Sequence, residues 1–230
     1  MRATAESAGA MRSHSFLDPG ESAVLEQEIA HLEAQTGVQL VTAVIGKADS
    51  YVELPWKAFA LAAALAGLAL VIGAALWPRW TDAGDALIFA VAILGAGASS
   101  AILAVFAPPY ARLFLRATRR DLEVRHYAQA FFLRRELFAT RERNGILLLV
   151  SLFERKVEIL PDIGLHTRFD SADWRAVIDA MTPLLRERRC FGALQQGVAR
   201  IQAMLLVRGT TGAPGGNELP DRPIQETGAR

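Results

Sequence analysis

Two long apolar runs limit what this chain can fold into more than any other feature. The first, WKAFALAAALAGLALVIGAALW, extends from Trp56 to Trp77, and its single charge, Lys57, sits at the edge. There a long side chain reaches the interface with its charged head. The second, ALIFAVAILGAGASSAILAVFA, extends from Ala86 to Ala107 without any charge. At about 1.5 Å of rise per residue, each helix is long enough to cross a hydrocarbon core of roughly 30 Å. Trp56, Trp77 and Trp80 stand where interfacial aromatic rings are favoured, and Pro108-Pro109 ends the second helix. A pair of buried core helices is the alternative, and two nearly uncharged runs of this length disfavour it. An apolar fraction of 52% agrees with a membrane part.

Gly95, Gly97, Ser99 and Ser100 in the second run, and Ala62, Ala66 and Gly73 in the first, let the two backbones approach. No ionisable group lies mid-span, so the pair reads as an anchor and not as an ion path. The connection holds Arg79 against Asp82 and Asp85, whereas Arg112, Arg116, Arg119 and Arg120 follow the second run. The positive-inside rule then predicts that the Arg-rich end and both flanks, with both ends of the chain, are cytoplasmic. These four arginines are also the candidate membrane-surface residues, each contributing about 1 kcal/mol beside anionic headgroups. Arg134-Arg135 and Arg186–Arg189 read equally as lipid contacts or as solvated faces balanced by Glu136 and Glu187. A net charge of +1 gives no general attraction to nucleic acid.

The flanks complete each other. Asp18, Pro19 and Glu21 have the spacing of a helix start, Leu25, Ile29 and Leu32 form an apolar stripe, and Gly37 ends the helix. Val38–Ile45 follows as a buried strand. After the hairpin a helix is expected over 121–141, carrying Val124, Ala128, Phe131 and Leu137 or Phe138. Asn144-Gly145 signals a turn into ILLLVS, and LFER connects it to the alternating strand KVEIL. Helices are expected over 172–187 and 192–207. One helix and one strand cannot bury both faces of a sheet, but the two flanks together give helices on both sides of a small mixed sheet. The predicted organisation is a disordered leader (1–15), the first part of an α/β domain (16–50), the hairpin (56–107), the second part (111–207) and a disordered tail (208–230). Both ends are assigned by composition, the tail by its Gly and Pro.

The order of these signals resembles the TPM-domain family, formerly DUF477. The residues that carry the resemblance are Asn144-Gly145, Ile146–Ser151, Glu154-Arg155, Val157–Leu160, Asp162-Ile163-Gly164-Leu165 and Phe191-Gly192, with LEQEIAHLEAQTGVQLVTAVI as the opening helix and strand. SYVELPW before a hairpin is similar to a bacterial membrane branch. The resemblance implies a three-layer α/β/α domain interrupted by the hairpin, and an inner-membrane location. It marks Asn144, Gly145, Asp162, Gly164 and Gly192 as motif residues. Relatives are linked to acid phosphatase activity, calcium binding, photosystem repair and receptor assembly, a spread that supplies no single reaction.

Candidate chemistry is concentrated after the third strand. Asp162, Asp170 and Asp173, near His166, could hold Ca²⁺ or Mg²⁺ through oxygen ligands, and the resemblance implies those ions as the only cofactors. The same acids also read structurally: Asp170 as the N-cap of the next helix, Asp173 at the capping-box position, Asp162 with Gly164 in a turn. His14, His31, His126 and His166 lack metal-ligand spacing. Cys190 is the single cysteine; Arg188 and Arg189 beside it could lower its pKa, but no Cys-based phosphatase loop surrounds it, so an inert thiol is expected. No residue is assigned a catalytic role. The expected function is a non-catalytic accessory or scaffold that contacts the bilayer and another membrane protein or complex, not nucleic acid. The alternative is a metal-assisted phosphatase using the Asp162–Asp173 loop.

Overall fold

The computed structural model describes residues 16–77, 83–166, 168–210 and 217–229. The expected leader (1–15) and the connection with Arg79, Trp80 and Asp82 lie outside them. The chain divides into two compact units, residues 1–49 with 121–230, and residues 50–120.

The first unit is built on a four-stranded mixed sheet. Helix α1 (Pro19–Thr36) begins where the Asp18 N–H donates to Glu21 Oε2 at 2.9 Å, and it ends at Gly37, whose φ of 70° needs a residue without a Cβ. Strand β1 (Gln39–Lys47) follows directly. Helix α5 (Ala117–Arg134) leads into β2 (Gly145–Ser151) and β3 (Lys156–Pro161). A short helix α6 (Ile163–His166), then α7 (Ser171–Arg186) and α8 (Cys190–Val207), complete this part. The sheet order is β3-β2-β1-β4, where β4 is Ile224–Gly228.

β1 and β2 run parallel, with Leu40 opposite Ile146 and Thr42 opposite Leu148, so the two flanks share one sheet. The side-chain period of two divides the core. Leu40, Val44, Ile146, Leu148, Val150, Val157 and Ile159 point to a layer made with Leu25, Ile29, Leu32, Trp174, Met181, Leu194 and Ile201 of α1, α7 and α8. Val41, Ala43, Ile45, Leu147 and Leu149 meet Val124, Ala128 and Phe131 of α5. This is the three-layer arrangement expected from the pattern.

Two expectations need correcting. α5 stops at Arg134 because Glu136 takes a left-handed φ of 52°, so Leu137 enters the core from a turn and not from a helix. The tail is not disordered throughout: residues 224–228 form β4, parallel to β1, with Ala43 opposite Ile224 and Lys47 opposite Gly228. Its Gly/Pro composition concealed a strand held by side-chain hydrogen bonds. The β2–β3 hairpin forms as expected, and Glu154 in its link accepts from the Ser151 hydroxyl and from the Ala48 N–H (2.9 Å), fastening the hairpin to the end of β1.

The second unit contains α2 (Glu53–Leu76), α3 (Ala83–Phe106) and α4 (Pro108–Ala111), with a 3₁₀ turn at Arg112–Phe114. α2 and α3 are long and apolar enough to cross a membrane. Leu61, Leu65, Leu68 and Val71 on α2 and Leu87, Val91 and Leu94 on α3 are about half exposed or more, which is not how core helices are packed. α3 breaks at Ala107, and Pro108-Pro109 restarts a helix in the first-turn positions that proline suits. The small-residue reading holds in part. Ser100 donates to the Ala58 carbonyl at 3.0 Å, and a Cβ on Gly97 would stand 2.7 Å from the Phe59 ring. Gly73 and Gly95 have nothing within 4 Å and take no part in that approach.

Candidate functional site

Four of the five motif residues form one clasp. Arg143, in the left-handed region at φ 52°, directs its guanidinium to Asp162: Nε donates to Oδ2 at 2.8 Å and Nη2 to Oδ1 at 3.0 Å. Asp162 is 5% exposed, and its Oδ1 accepts a further bond from the Ile163 N–H at 2.7 Å. The main chain is bound as well, with Asp162 N–H on the Gly145 carbonyl (2.8 Å) and Gly164 N–H on that of Arg143 (2.9 Å). Asn144 Nδ2 donates to the Gly37 carbonyl at 2.7 Å, so the segment after α1 joins the same knot. Both glycines are there for close approach. A Cβ on Gly145 would strike the Leu137 carbonyl, and one on Gly164 would stand 2.6 Å from the carbonyl oxygens of Arg143 and Glu142. Gly192 is elsewhere, in the first turn of α8, with only Leu184 Cδ1 at 4.0 Å.

Asp170 and Asp173 belong to a different construction. Asp170 Oδ1 accepts from the N–H groups of Ala172 (2.8 Å) and Asp173 (2.9 Å), and Asp173 Oδ2 accepts in return from the Asp170 N–H (3.1 Å). Those bonds from the Asp173 and Ala172 amides hold the Asp170 carboxyl below the usual carboxylate range. Arg208 Nη2 lies 3.0 and 2.9 Å from the two oxygens of Asp173. The side chain of His166 is outside the described residues. Among the described residues no group of three or more His, Cys, Asp or Glu side chains converges on a point that could hold a metal. A cation at Asp162 or Asp173 would have to displace a guanidinium already seated on both oxygens. These residues do not fit Ca²⁺ or Mg²⁺.

Cys190 moves opposite to the direction its basic neighbours suggested: burial, with Glu21 nearby, pushes the thiol up to about 11. Sequence reasoning missed Glu33. It is 7% exposed, its Oε1 accepts from the Leu40 N–H at 2.8 Å, and burial pushes its carboxyl up to about 7, with Asp221 adding to the rise. Its position one turn after the buried Ile29 and beside Leu32 is the only signal that could have placed it inside.

A groove of about 740 Å³ lies along α1 and α8 and is lined by Glu28, His31, Leu184, Arg189, Gln195 and Gln202 among others. Gln195 Nε2 donates to Glu28 Oε1 and Gln202 Nε2 to Gln35 Oε1, both at 2.7 Å, so amides dominate its polar lining. Among its lining residues no nucleophile is held by a base. Within the second unit, the Arg119 Nε lies 3.2 Å from Glu53 Oε1.

The family model described as TPM domain matches residues 113–204. No curated protein matches the chain in sequence. Among solved structures, the BA42 protein from the psychrophilic bacterium Bizionia argentinensis, determined by NMR, superposes with a TM-score of 0.53 at 12% identity. The match covers 92% of this chain and 96% of that one, a likeness of fold alone.

Proposed function

We propose that this chain, with its TPM domain, is a membrane-anchored accessory protein that binds another membrane protein or complex and catalyses no reaction of its own. In this reading α2 and α3 form a hairpin in a bacterial inner membrane. The Arg112–Arg120 segment meets the cytoplasmic leaflet, and the α/β unit is on that side with both ends of the chain.

The observation that carries the non-catalytic reading is that the acids most suited to chemistry are occupied: Asp162 by Arg143, Asp173 by Arg208, and Asp170 by two main-chain N–H groups. The amide-lined groove along α1 and α8 offers hydrogen-bonding area for a partner. Two long, exposed apolar helices support the anchor.

The test has two arms. Reporter fusions at the two ends should both give cytoplasmic signals; opposite signals would overturn the topology. Purified full chain with a generic phosphomonoester and either Mg²⁺ or Ca²⁺ should show no turnover above buffer. Turnover lost on Asp173→Asn would replace this proposal with the phosphatase reading.

A further inference from the structure

β4 is attached differently from the other strands. β1 and β2 are almost wholly buried, whereas no residue of β4 is, and Ile224 is its one large apolar side chain. Polar recognition holds it. Gln225 Oε1 accepts from the N–H groups of Phe16 (2.6 Å) and Leu17 (3.0 Å), immediately before α1. Glu226, pointing to the other face, accepts from the Tyr127 hydroxyl (2.8 Å), Arg134 Nη2 (3.0 Å) and Arg135 Nη2 (2.9 Å), all from α5. Upstream, Gln39 Oε1 accepts from the N–H groups of Glu218 and Leu219 at 2.8 and 3.0 Å.

β1 is shaped to receive this strand. A Cβ on Gly46 would lie 2.7 Å from the Thr227 carbonyl oxygen. On the other side, Gly228 has a φ of +82° and is packed against the Lys47 carbonyl, which leaves no space for a side chain. Strand addition to an exposed edge takes affinity from main-chain hydrogen bonds and selectivity from the sites that receive alternate side chains. Here the alternate sites are two amides for a Gln and a Tyr-Arg-Arg cluster for an acid.

We propose that the edge of β1 covered by β4, between the Phe16–Leu17 amides and Tyr127, Arg134 and Arg135, is a peptide-recognition groove. It takes an extended segment carrying a Gln-Glu pair, parallel to β1, and residues 224–228 are its resident and exchangeable occupant. The incoming ligand that fits is the same segment of a second copy of this chain, because it brings Gln225, Glu226 and Gly228 in the register the groove reads. Exchange between copies then links neighbouring molecules through their sheets.

The experiment uses full chain in detergent micelles and follows amide hydrogen exchange at β1. Glu226→Lys sets a cation against Arg134 and Arg135, and Gly46→Val fills the groove. Both should accelerate exchange over 43–47 at least tenfold, while 146–150 in β2 stays protected and reports the intact sheet. A synthetic peptide of residues 217–229 at millimolar concentration should restore protection in the Glu226→Lys chain but not in the Gly46→Val chain. The peptide bearing the same Glu226→Lys change should restore nothing. The proposal is overturned if Glu226→Lys leaves β1 protected, if the natural peptide restores no protection, or if both peptides act alike. Should Glu226→Lys also expose β2, Gln225→Ala carries the same comparison with a smaller perturbation.

Discussion

Glu33 makes the stability of the α/β unit depend on pH in a direction opposite to that of most carboxylates. Burial raises its pKa from 4.5 to about 7, so the folded state holds a proton that the unfolded chain has already released. Between those two values the unfolded state binds fewer protons than the folded one, and stability falls as pH rises. The stabilising protonated form is fully present below about 4.5, and its contribution is lost as pH passes through about 7. The full shift corresponds to about 3 kcal/mol, which solvent screening reduces to about 2 kcal/mol. Glu33→Gln keeps the acceptor for the Leu40 N–H and removes the charge. Denaturant unfolding of the two full chains in the same micelles, followed by tryptophan fluorescence, gives the difference at pH 5 and pH 8. All other titrating groups are common to both chains and cancel, apart from Asp221, which is coupled to this site. The stability of Glu33→Gln relative to the parent chain should rise by about 2 kcal/mol from pH 5 to pH 8. Equal differences at the two pH values, or a difference that falls from pH 5 to pH 8, would refute a buried carboxyl at this position.

Other expected outcomes follow from the packing. Gly164→Ala drives a methyl into two carbonyl oxygens of the clasp and should lower stability by about 1–3 kcal/mol in the same unfolding assay, whereas Gly192→Ala should stay within about 0.5 kcal/mol. Leu148→Ala opens a void between β2 and α8, where Leu148 Cδ2 lies 3.1 Å from a Cβ built on Gly197; the cost should be about 2–5 kcal/mol. Cys190, with its thiol at about 11, should resist iodoacetamide at pH 8 in folded protein and react readily once denaturant is added, as read by intact mass.

The parts legible in the sequence are those where one local signal sufficed. The buried runs at Val38–Ile45 and Ile146–Ser151 became the central strands, and the Leu25, Ile29, Leu32 stripe went into the core. The Asp170/Asp173 spacing gave the helix cap now seen at α7. Contacts between distant segments were not legible. Nothing near Asp162 announces that Arg143 will take both its oxygens, so the loop rich in acids read both as a turn with a helix cap and as a cation site. β4 has one large apolar residue and draws its support from Phe16, Leu17, Tyr127, Arg134 and Arg135, far away in the chain. A propensity pattern contains no trace of such partners. Cys190 shows the same limit, because adjacency to Arg188 and Arg189 in sequence says less about a thiol than what it is buried against.

The place of β1 in the sheet has a bearing on how the protein is made. It is flanked by β2 on one side and β4 on the other, both later in the chain. At ribosomal speeds of about 5–20 residues per second, β1 waits roughly 5–20 s for β2 to be synthesised, and longer for β4. The strand translated first is therefore the last to have both its edges covered, and throughout that interval the nascent chain carries an uncovered ribbon with Leu40, Val41, Val44 and Ile45 while α2 and α3 emerge. Slowing elongation within the hairpin should lengthen the time for which that ribbon is exposed.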